Sequence, residues 1–323
     1  GPAALLGVRT LNAISIKRHD KLIAQARHAV CEVACAHGLP VGSAELVSFA
    51  SNVILRLQPI NVVARVSGGA ALVRSNTEGP KHEVEVCGFL ADAGAPVVAP
   101  SKLLDPGPHE FDGLSVTFWE GLTSRELPLP EMAALDSLRR CCAALSSCPT
   151  ALPYMRGYHE TRHVFHGLWQ NNRLDSIDPG KVVRRLAVID EALEAIGGAS
   201  SPRNVPLHGD AHLGNVIVTE QSSGLTCLWL DWDDVCFGPI EWDYACMAVS
   251  PCADESLLRN DVVFMTAIED EIDPDFLDVM IDARILQREV WDAALKMLYR
   301  GDAAMPGLLR RGIGLARRKL GLG

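Results

Sequence analysis

The segment from Leu207 to Asp243 constrains this chain more than any other. An apolar approach, Asn204-Val205-Pro206-Leu207, leads into His208-Gly209-Asp210-Ala211-His212-Leu213-Gly214-Asn215. Two β-rich runs follow, Val216 to Thr219 and Leu225 to Leu230, joined through Gln221-Ser222-Ser223-Gly224. Short β-type runs linked by a Ser/Gly turn read as a hairpin. A hairpin brings its outer ends together, so Asp210 and Asn215 are expected to face Asp231 at short range. These three supply hard oxygen donors, the type Mg²⁺ takes, and no thiol or imidazole is required. One carboxylate accepts or orients a hydroxyl proton, while an amide and a second carboxylate hold Mg²⁺ against nucleotide phosphates. That is the equipment of metal-assisted phosphoryl transfer.

The spaced elements H-G-D-x-x-x-x-N (His208, Gly209, Asp210, Asn215), then Asp231-Trp232, then G-P-x-x-x-D-x-A (Gly238, Pro239, Asp243, Ala245) occur here in order. In this the chain resembles the aminoglycoside phosphotransferase and choline kinase-like family of small-molecule kinases. The resemblance implies an α+β, protein-kinase-like two-lobed fold, with a β-rich N-lobe over residues 1–120 and a mostly helical C-lobe over 121–323. It implies ATP and Mg²⁺ as cofactors, Asp210 as the catalytic residue, and Asn215 and Asp231 as metal ligands. His208 and Asp243 are expected to brace the loop, with Asp243 at the start of a helix running from Tyr244. The acceptor is expected to be a small molecule with a hydroxyl. Aminoglycoside-type or amino-sugar acceptors come first, with other antibiotics, choline-like alcohols and neutral sugars left open.

The chain is long enough to bury a substantial core, at 323 residues and 48% hydrophobic content. Residues 1–120 carry 10 Lys+Arg against 11 Asp+Glu, so nearly all of the net charge of −10 lies in the later part. An acidic chain is a poor nucleic-acid binder, whereas a cationic small molecule in the second half suits it. No run approaches a transmembrane span and no signal segment is evident. Gly1-Pro2 reads as a tag-cleavage remnant, and the expected location is cytoplasmic. The ten cysteines include no C-x-x-C pair and sit among apolar neighbours, which favours buried free thiols over disulfides or zinc.

In chain order, Lys17 to His37 has helical apolar spacing that Gly38-Leu39-Pro40 stops. Three short strands are expected at Ala44–Phe49, Val53–Leu57 and Val62–Val66. By the resemblance, the turn Ala50 to Asn52 covers phosphate through Ser51 and Asn52; lacking glycine, it reads equally as an ordinary hairpin turn. The third strand puts Arg65 where the kinase fold has a lysine that grips phosphates, and arginine's fork can serve there with altered geometry. The helix from Lys81 offers Glu83 as its partner, with Glu85 as the alternative. Leu114 to Trp119 reads as a strand entering the hinge near Gly121, where backbone groups beside Trp119 and Glu120 meet the adenine edge.

Helices are expected from Pro130, over Gly157 to Asn171, over Pro179 to Ile196, and after the cap Asp273-Pro274. His159, His163 and His166 share one helical face, a spacing that also suits a metal but lacks a carboxylate partner. Glu269, Asp270 and Glu271 are candidate contacts to an ammonium-bearing acceptor, and Asp233, nearer the motif, is a candidate for the acceptor or for a second metal or its water shell. Acidic helix starts also favour the macrodipole without any ligand. The basic end, Arg310-Arg311 and Arg317-Arg318-Lys319, carries no assigned role. Two other readings remain: a metal-dependent hydrolase using His208, Asp210 and His212, and a nucleotide-binding pseudokinase.

Overall fold

The computed structural model describes residues 13–49, 52–67, 79–122, 129–170, 177–221, 224–249 and 261–300, with the side chains of 13–19 and 295–300 excepted. Ser51, Ser222-Ser223, Cys252 and the basic end therefore lie outside the described residues.

Helix α1, Ala13–Ala36, buries Leu22, Ala26, Ala29, Val30, Val33 and Ala34 along one face. It ends at Gly38, whose positive φ of 76° lets the chain reverse. The Gly38 amide then donates to Cys35 O (2.9 Å) and the Leu39 amide to Ala34 O (3.0 Å), which satisfies two terminal carbonyls.

A five-stranded antiparallel sheet follows, in the order β1-β2-β3-β5-β4, from β1 (Ser43–Phe49), β2 (Asn52–Gln58), β3 (Val62–Ser67), β4 (His109–Phe111) and β5 (Leu114–Glu120). Side chains alternate across a strand. Val53, Leu55 and Leu57 of β2 and Val62, Ala64 and Val66 of β3 point to the face covered by α1 and form one core with it. Arg65 consequently points to the opposite face. Helix α2, Gly79–Asp92, starts two residues before the expected Lys81 and buries Val86, Cys87 and Leu90 in a second, larger core.

That larger core belongs to the helical C-terminal lobe, built from α3 (Glu131–Leu145), α4 (Arg156–Trp169), α5 (Pro179–Ala195), α6 (Glu241–Ala248), α7 (Val262–Ile268) and α8 (Pro274–Arg300). Caps mark several starts. Asp178 accepts the Gly180 and Lys181 amides ahead of α5, and Asp273 accepts those of Asp275 and Phe276 in α8. Helix α6 begins at Glu241 rather than Tyr244, because its first turn is buried whole and held by tertiary contacts; Asp243 lies inside the helix. Two ribbons carry the motif: β6 (Asn204–Leu207) pairs with β9 (Cys236–Pro239), and β7 (Val216–Gln221) with β8 (Gly224–Trp229). Trp229 anchors the second ribbon, since its indole N–H donates to Ala134 O (3.1 Å) and Ser137 Oγ (2.9 Å) on α3.

All nine described cysteines are free thiols and six of them are buried. No described helix is long and apolar enough to cross a membrane.

Between the lobes, Asn61 clasps the chain beyond β5. Its Nδ2 donates to Gly121 O (2.7 Å), its carbonyl accepts the Gly121 amide (3.1 Å), and Arg56 Nη2 reaches Leu122 O (3.0 Å). A Cβ on Gly121 would lie 2.3 Å from Asn61 Oδ1, so only glycine admits this clasp. Replacing Asn61 by Ala leaves a part-buried carbonyl unmatched and should lower stability by about 1–3 kcal/mol in urea unfolding. An unchanged midpoint would show that the clasp holds nothing.

Candidate active site

The motif loop is held by what lies behind it. Leu207 is fully buried at the end of β6, and the next two amides, His208 N and Gly209 N, donate to Asp243 Oδ2 (2.8 Å) and Oδ1 (2.9 Å). Gly209 has φ 86°, and a Cβ there would fall 1.9 Å from Asp234 O, so backbone meets backbone where no side chain fits. Its carbonyl accepts the Trp242 indole N–H at 2.8 Å. Burial pushes the Asp243 carboxyl up to about 7, although the two amide donors favour its charged form.

His208 is buried, with both ring nitrogens engaged. Nε2 lies 3.0 Å from Leu230 O, and Nδ1 accepts the Asp210 amide at 3.3 Å. One donor and one acceptor make a neutral ring, and burial holds its pKa down at about 4. No lone pair remains for a metal. Among the described residues no group of three or more His, Cys, Asp or Glu could hold one, and this includes the His159, His163 and His166 face.

Asp210 projects from this loop about one-fifth exposed, with Oδ1 2.5 Å from Arg284 Nη2 and Oδ2 3.6 Å from His212 Nε2. Burial alone would raise its carboxyl, but Arg284, with His212 and His208, outweighs that and holds it at about 2. Burial likewise lowers His212, helped by Arg284 and Arg288. Arg284 is itself buried and hydrogen-bonded to Gln287. Neither residue figured in the sequence reading. The available signal was an arginine and a glutamine on the otherwise apolar face of α8 that carries Leu277, Met280 and Val290.

Asn215, nearly buried, donates Nδ2 to Asp210 O at 3.0 Å, which leaves its Oδ1 as the acceptor end. Across the hairpin, Leu230 N donates to Asn215 O (3.0 Å), and Asp231 follows at φ 67°. An amide oxygen and a carboxylate are a partial hard-oxygen set. Mg²⁺ in such sites completes its shell from phosphates and water, so these residues fit it.

Arg65 links this loop to the sheet. Its Nη1 donates to Glu83 Oε2, and its Nη2 to Asp231 Oδ1 (2.7 Å) and Asp233 Oδ2 (3.0 Å). Glu83 Oε1 also accepts the Trp232 amide at 3.2 Å. Glu85, by contrast, faces Lys81 at the surface, 3.9 Å away. Burial disfavours the guanidinium charge, but Asp231, Glu83 and Asp233 outweigh it and keep Arg65 charged. Burial pushes the Asp231 carboxyl well up, with Asp233, Glu83 and Asp210 adding to the effect and Arg65 opposing it.

Other candidates lie further out. Trp119 is buried, its indole bonded to Thr117 Oγ1 (2.9 Å) and its backbone paired with Val63 of β3, while Glu120 is exposed and its amide bonds Ala99 O. Asn52 opens β2 opposite Ser67. Glu271 is committed to Arg139 and the Tyr244 hydroxyl, whereas Glu269 and Asp270 stand exposed.

A family profile described as the phosphotransferase enzyme family matches residues 61–279. The chain belongs to that family. Solved structures similar to this phosphotransferase-family chain include an amicoumacin kinase bound to AMP-PNP and Ca²⁺ (13% identity, TM-score 0.61, covering 96% of this chain and 95% of that one). A choline/ethanolamine kinase family protein from Mesorhizobium loti is also similar (15%, 0.56, 93% and 94%). So is an aminoglycoside phosphotransferase from Streptomyces rimosus (16%, 0.54, 80% and 98%). The fold is accordingly the two-lobed protein-kinase-like one. A search of curated proteins gives no match.

Two outcomes follow for this phosphotransferase-family loop. Removing only one member of a buried ion pair costs about 3–5 kcal/mol. Arg284→Met should lose that much in chemical unfolding and Arg284→Met/Asp210→Asn much less; equal losses would mean the pair is not coupled. The second concerns His208, whose folded pKa of about 4 lies below an unfolded value near 6.5. The unfolded chain takes the proton first, so the neutral ring's contribution is full above pH 6.5 and lost as pH falls toward 4. The stability gap between wild type and His208→Gln should narrow by about 2 kcal/mol between pH 7.5 and 5. Asp243 titrates with the opposite sign in both proteins and cancels in the difference. A gap that widens on acidification contradicts the neutral-ring assignment.

Proposed function

We propose that this chain is an ATP- and Mg²⁺-dependent phosphotransferase that moves the γ-phosphate to a hydroxyl of a small molecule. One observation carries the reading: Asn215 bonds Asp210 O and the Leu230 amide, and the next residue, Asp231, is paired through Arg65 with Glu83, which ties the sheet, α2 and the motif loop together. Asn215 Oδ1 and Asp231 are the residues that would hold Mg²⁺, whose charge offsets that of the phosphates. Arg65, fixed by Glu83, faces the nucleotide, with Asn52 at the β2 start and the Glu120 carbonyl beside Trp119 at the hinge. The lobes divide near Gly121.

Asp210 orients the acceptor hydroxyl. The hydroxyl oxygen bonds to the γ-phosphorus while the bond to the β,γ-bridging oxygen breaks and ADP leaves. Held near 2, Asp210 is a weak proton acceptor, so its carboxylate aims the hydroxyl and the proton departs late, to phosphate or solvent. Positioning and electrostatics supply most of the rate.

The acceptor is an aminoglycoside-type or amino-sugar hydroxyl compound. Support comes from the negative charge concentrated after residue 120, the exposed Glu269 and Asp270, and the aminoglycosides and spectinomycin named for similar structures. Glu271 has no part in this, being tied to Arg139 and Tyr244.

The test is ADP release from Mg²⁺-ATP over acceptors sorted as cationic, neutral and anionic. Turnover should depend on acceptor and fall at least about 100-fold in Asp210→Ala. Nucleotide binding with no turnover for any class would favour the pseudokinase, and absence of nucleotide binding would sink the reading.

A further inference from the structure

The backbone that carries Asp210 is fixed by Asp243, Trp242 and His208. Its carboxylate is another matter, because the last torsion of an aspartate is broad and backbone contacts do not govern it. Among the described residues two side chains are paired with this carboxylate. Arg284 Nη2 stands 2.5 Å from Oδ1, while His212 Nε2 stands 3.6 Å from Oδ2, too far for a hydrogen bond. Oδ1 is therefore held, and Oδ2 is the oxygen left for a hydroxyl. Whatever sets Arg284 also sets the direction in which Oδ2 points.

Arg284 is set by a neighbour one turn along α8. Its Nη1 donates to Gln287 Oε1 at 2.5 Å, so its two terminal nitrogens serve two partners, and both residues are buried. The other end of Gln287 lies against α4. A Cβ on Gly157, the second residue of that helix, would fall 2.8 Å from Gln287 Nε2, closer than side chains pack. The same Cβ would meet Trp242 at 3.7 Å and Gly209 O at 3.8 Å, which are ordinary contacts. Gly157 has helical backbone and no positive φ that would call for glycine. Its missing side chain makes room for the Gln287 amide.

Resting on the phosphotransferase reading, we propose that Gly157, Gln287 and Arg284 form a positioning relay. Gly157 admits the Gln287 amide, the amide oxygen orients the Arg284 guanidinium, and the guanidinium aims Asp210 Oδ2 at the acceptor hydroxyl. All three are positioning residues, which act through Asp210 and touch no reacting atom.

The relay accounts for three residues that packing alone would disfavour. Arg284 and Gln287 interrupt the buried stripe of Leu277, Met280 and Val290, and buried polar groups are costly unless satisfied. Here Gln287 Oε1 takes one guanidinium nitrogen and the Asp210 carboxylate takes the other. A guanidinium is planar, so fixing one nitrogen fixes the direction of the next; the single nitrogen of a lysine would transmit no such direction. Glycine within a helix costs stability relative to alanine, and the close approach of Gln287 gives Gly157 its reason.

The test is a mutant cycle in the full chain, read as kcat with the best acceptor of the panel, KM for Mg²⁺-ATP and the urea midpoint. Gly157→Ala displaces only the far end of a flexible side chain, so the midpoint and the KM should hold. Its kcat should fall about 10-fold, since small misplacements of a catalytic group cost rate steeply. Gln287→Ala should lower kcat by a similar factor. The double variant should be no slower than Gln287→Ala, because the added methyl then has no amide to displace. Full kcat in Gly157→Ala overturns the relay, as does a double variant whose losses multiply. A fall in kcat that merely tracks a lower urea midpoint overturns it too, as damage to packing. Gly157→Ala decides by itself where Gln287→Ala fails to fold. Wild type that turns over with no acceptor would instead remove the phosphotransferase reading, and the relay with it.

Discussion

The structure depends most on the ion pairs that converge on one side chain. Arg65 stands between Glu83 of α2, Asp231 at the end of the β7–β8 hairpin and Asp233 in the turn beyond, three carboxylates to one guanidinium. Glu83 and the Asp231–Asp233 turn come from separate parts of the chain, and in these water-poor surroundings no carboxylate stays charged alone at low cost. The fork therefore sets where α2 sits against the sheet and where the hairpin end meets both.

On the far side of the same loop the design reverses, with polar groups satisfied so that little net charge is buried. His208 is neutral because one nitrogen accepts and the other donates. Asp243 receives two consecutive amides, Trp242 holds the Gly209 carbonyl that follows them, and only glycine at 209 can pass so close to Asp234. The effect is a rigid backbone that presents Asp210 and Asn215 from a fixed base. Catalytic groups gain from such positioning, since small displacements cost rate steeply. Arg284 completes the base from α8 and holds the Asp210 carboxyl charged.

What could be read in the sequence was local. Alternation in β2 and β3 placed Val53, Leu55 and Val62 inward and hence Arg65 outward, and the Ser/Gly turn showed that Asp231 returns toward Asn215. What could not be read depended on partners distant in the chain. Arg284 is 74 residues beyond Asp210, and within its helix it is only a polar interruption of an apolar stripe. Asn61 ends the three-residue turn between β2 and β3, and its importance lies in Gly121, just past the neighbouring strand β5. Glu271 reads as an acceptor contact in the sequence, yet Arg139 and Tyr244 hold its carboxylate. The start of α6 escaped for a related reason, because tertiary burial rather than a cap defines it.

The account makes Asn215 and Asp231 the metal-holding pair through which nucleotide is retained, with Arg65 and Glu83 behind them. The most direct check is calorimetric binding of AMP-PNP with and without Mg²⁺, in wild type and in Asn215→Ala. The account predicts binding that tightens with Mg²⁺ in wild type and loses most of that gain in the variant. Binding that is indifferent to Mg²⁺, or a gain that survives Asn215→Ala intact, would contradict it.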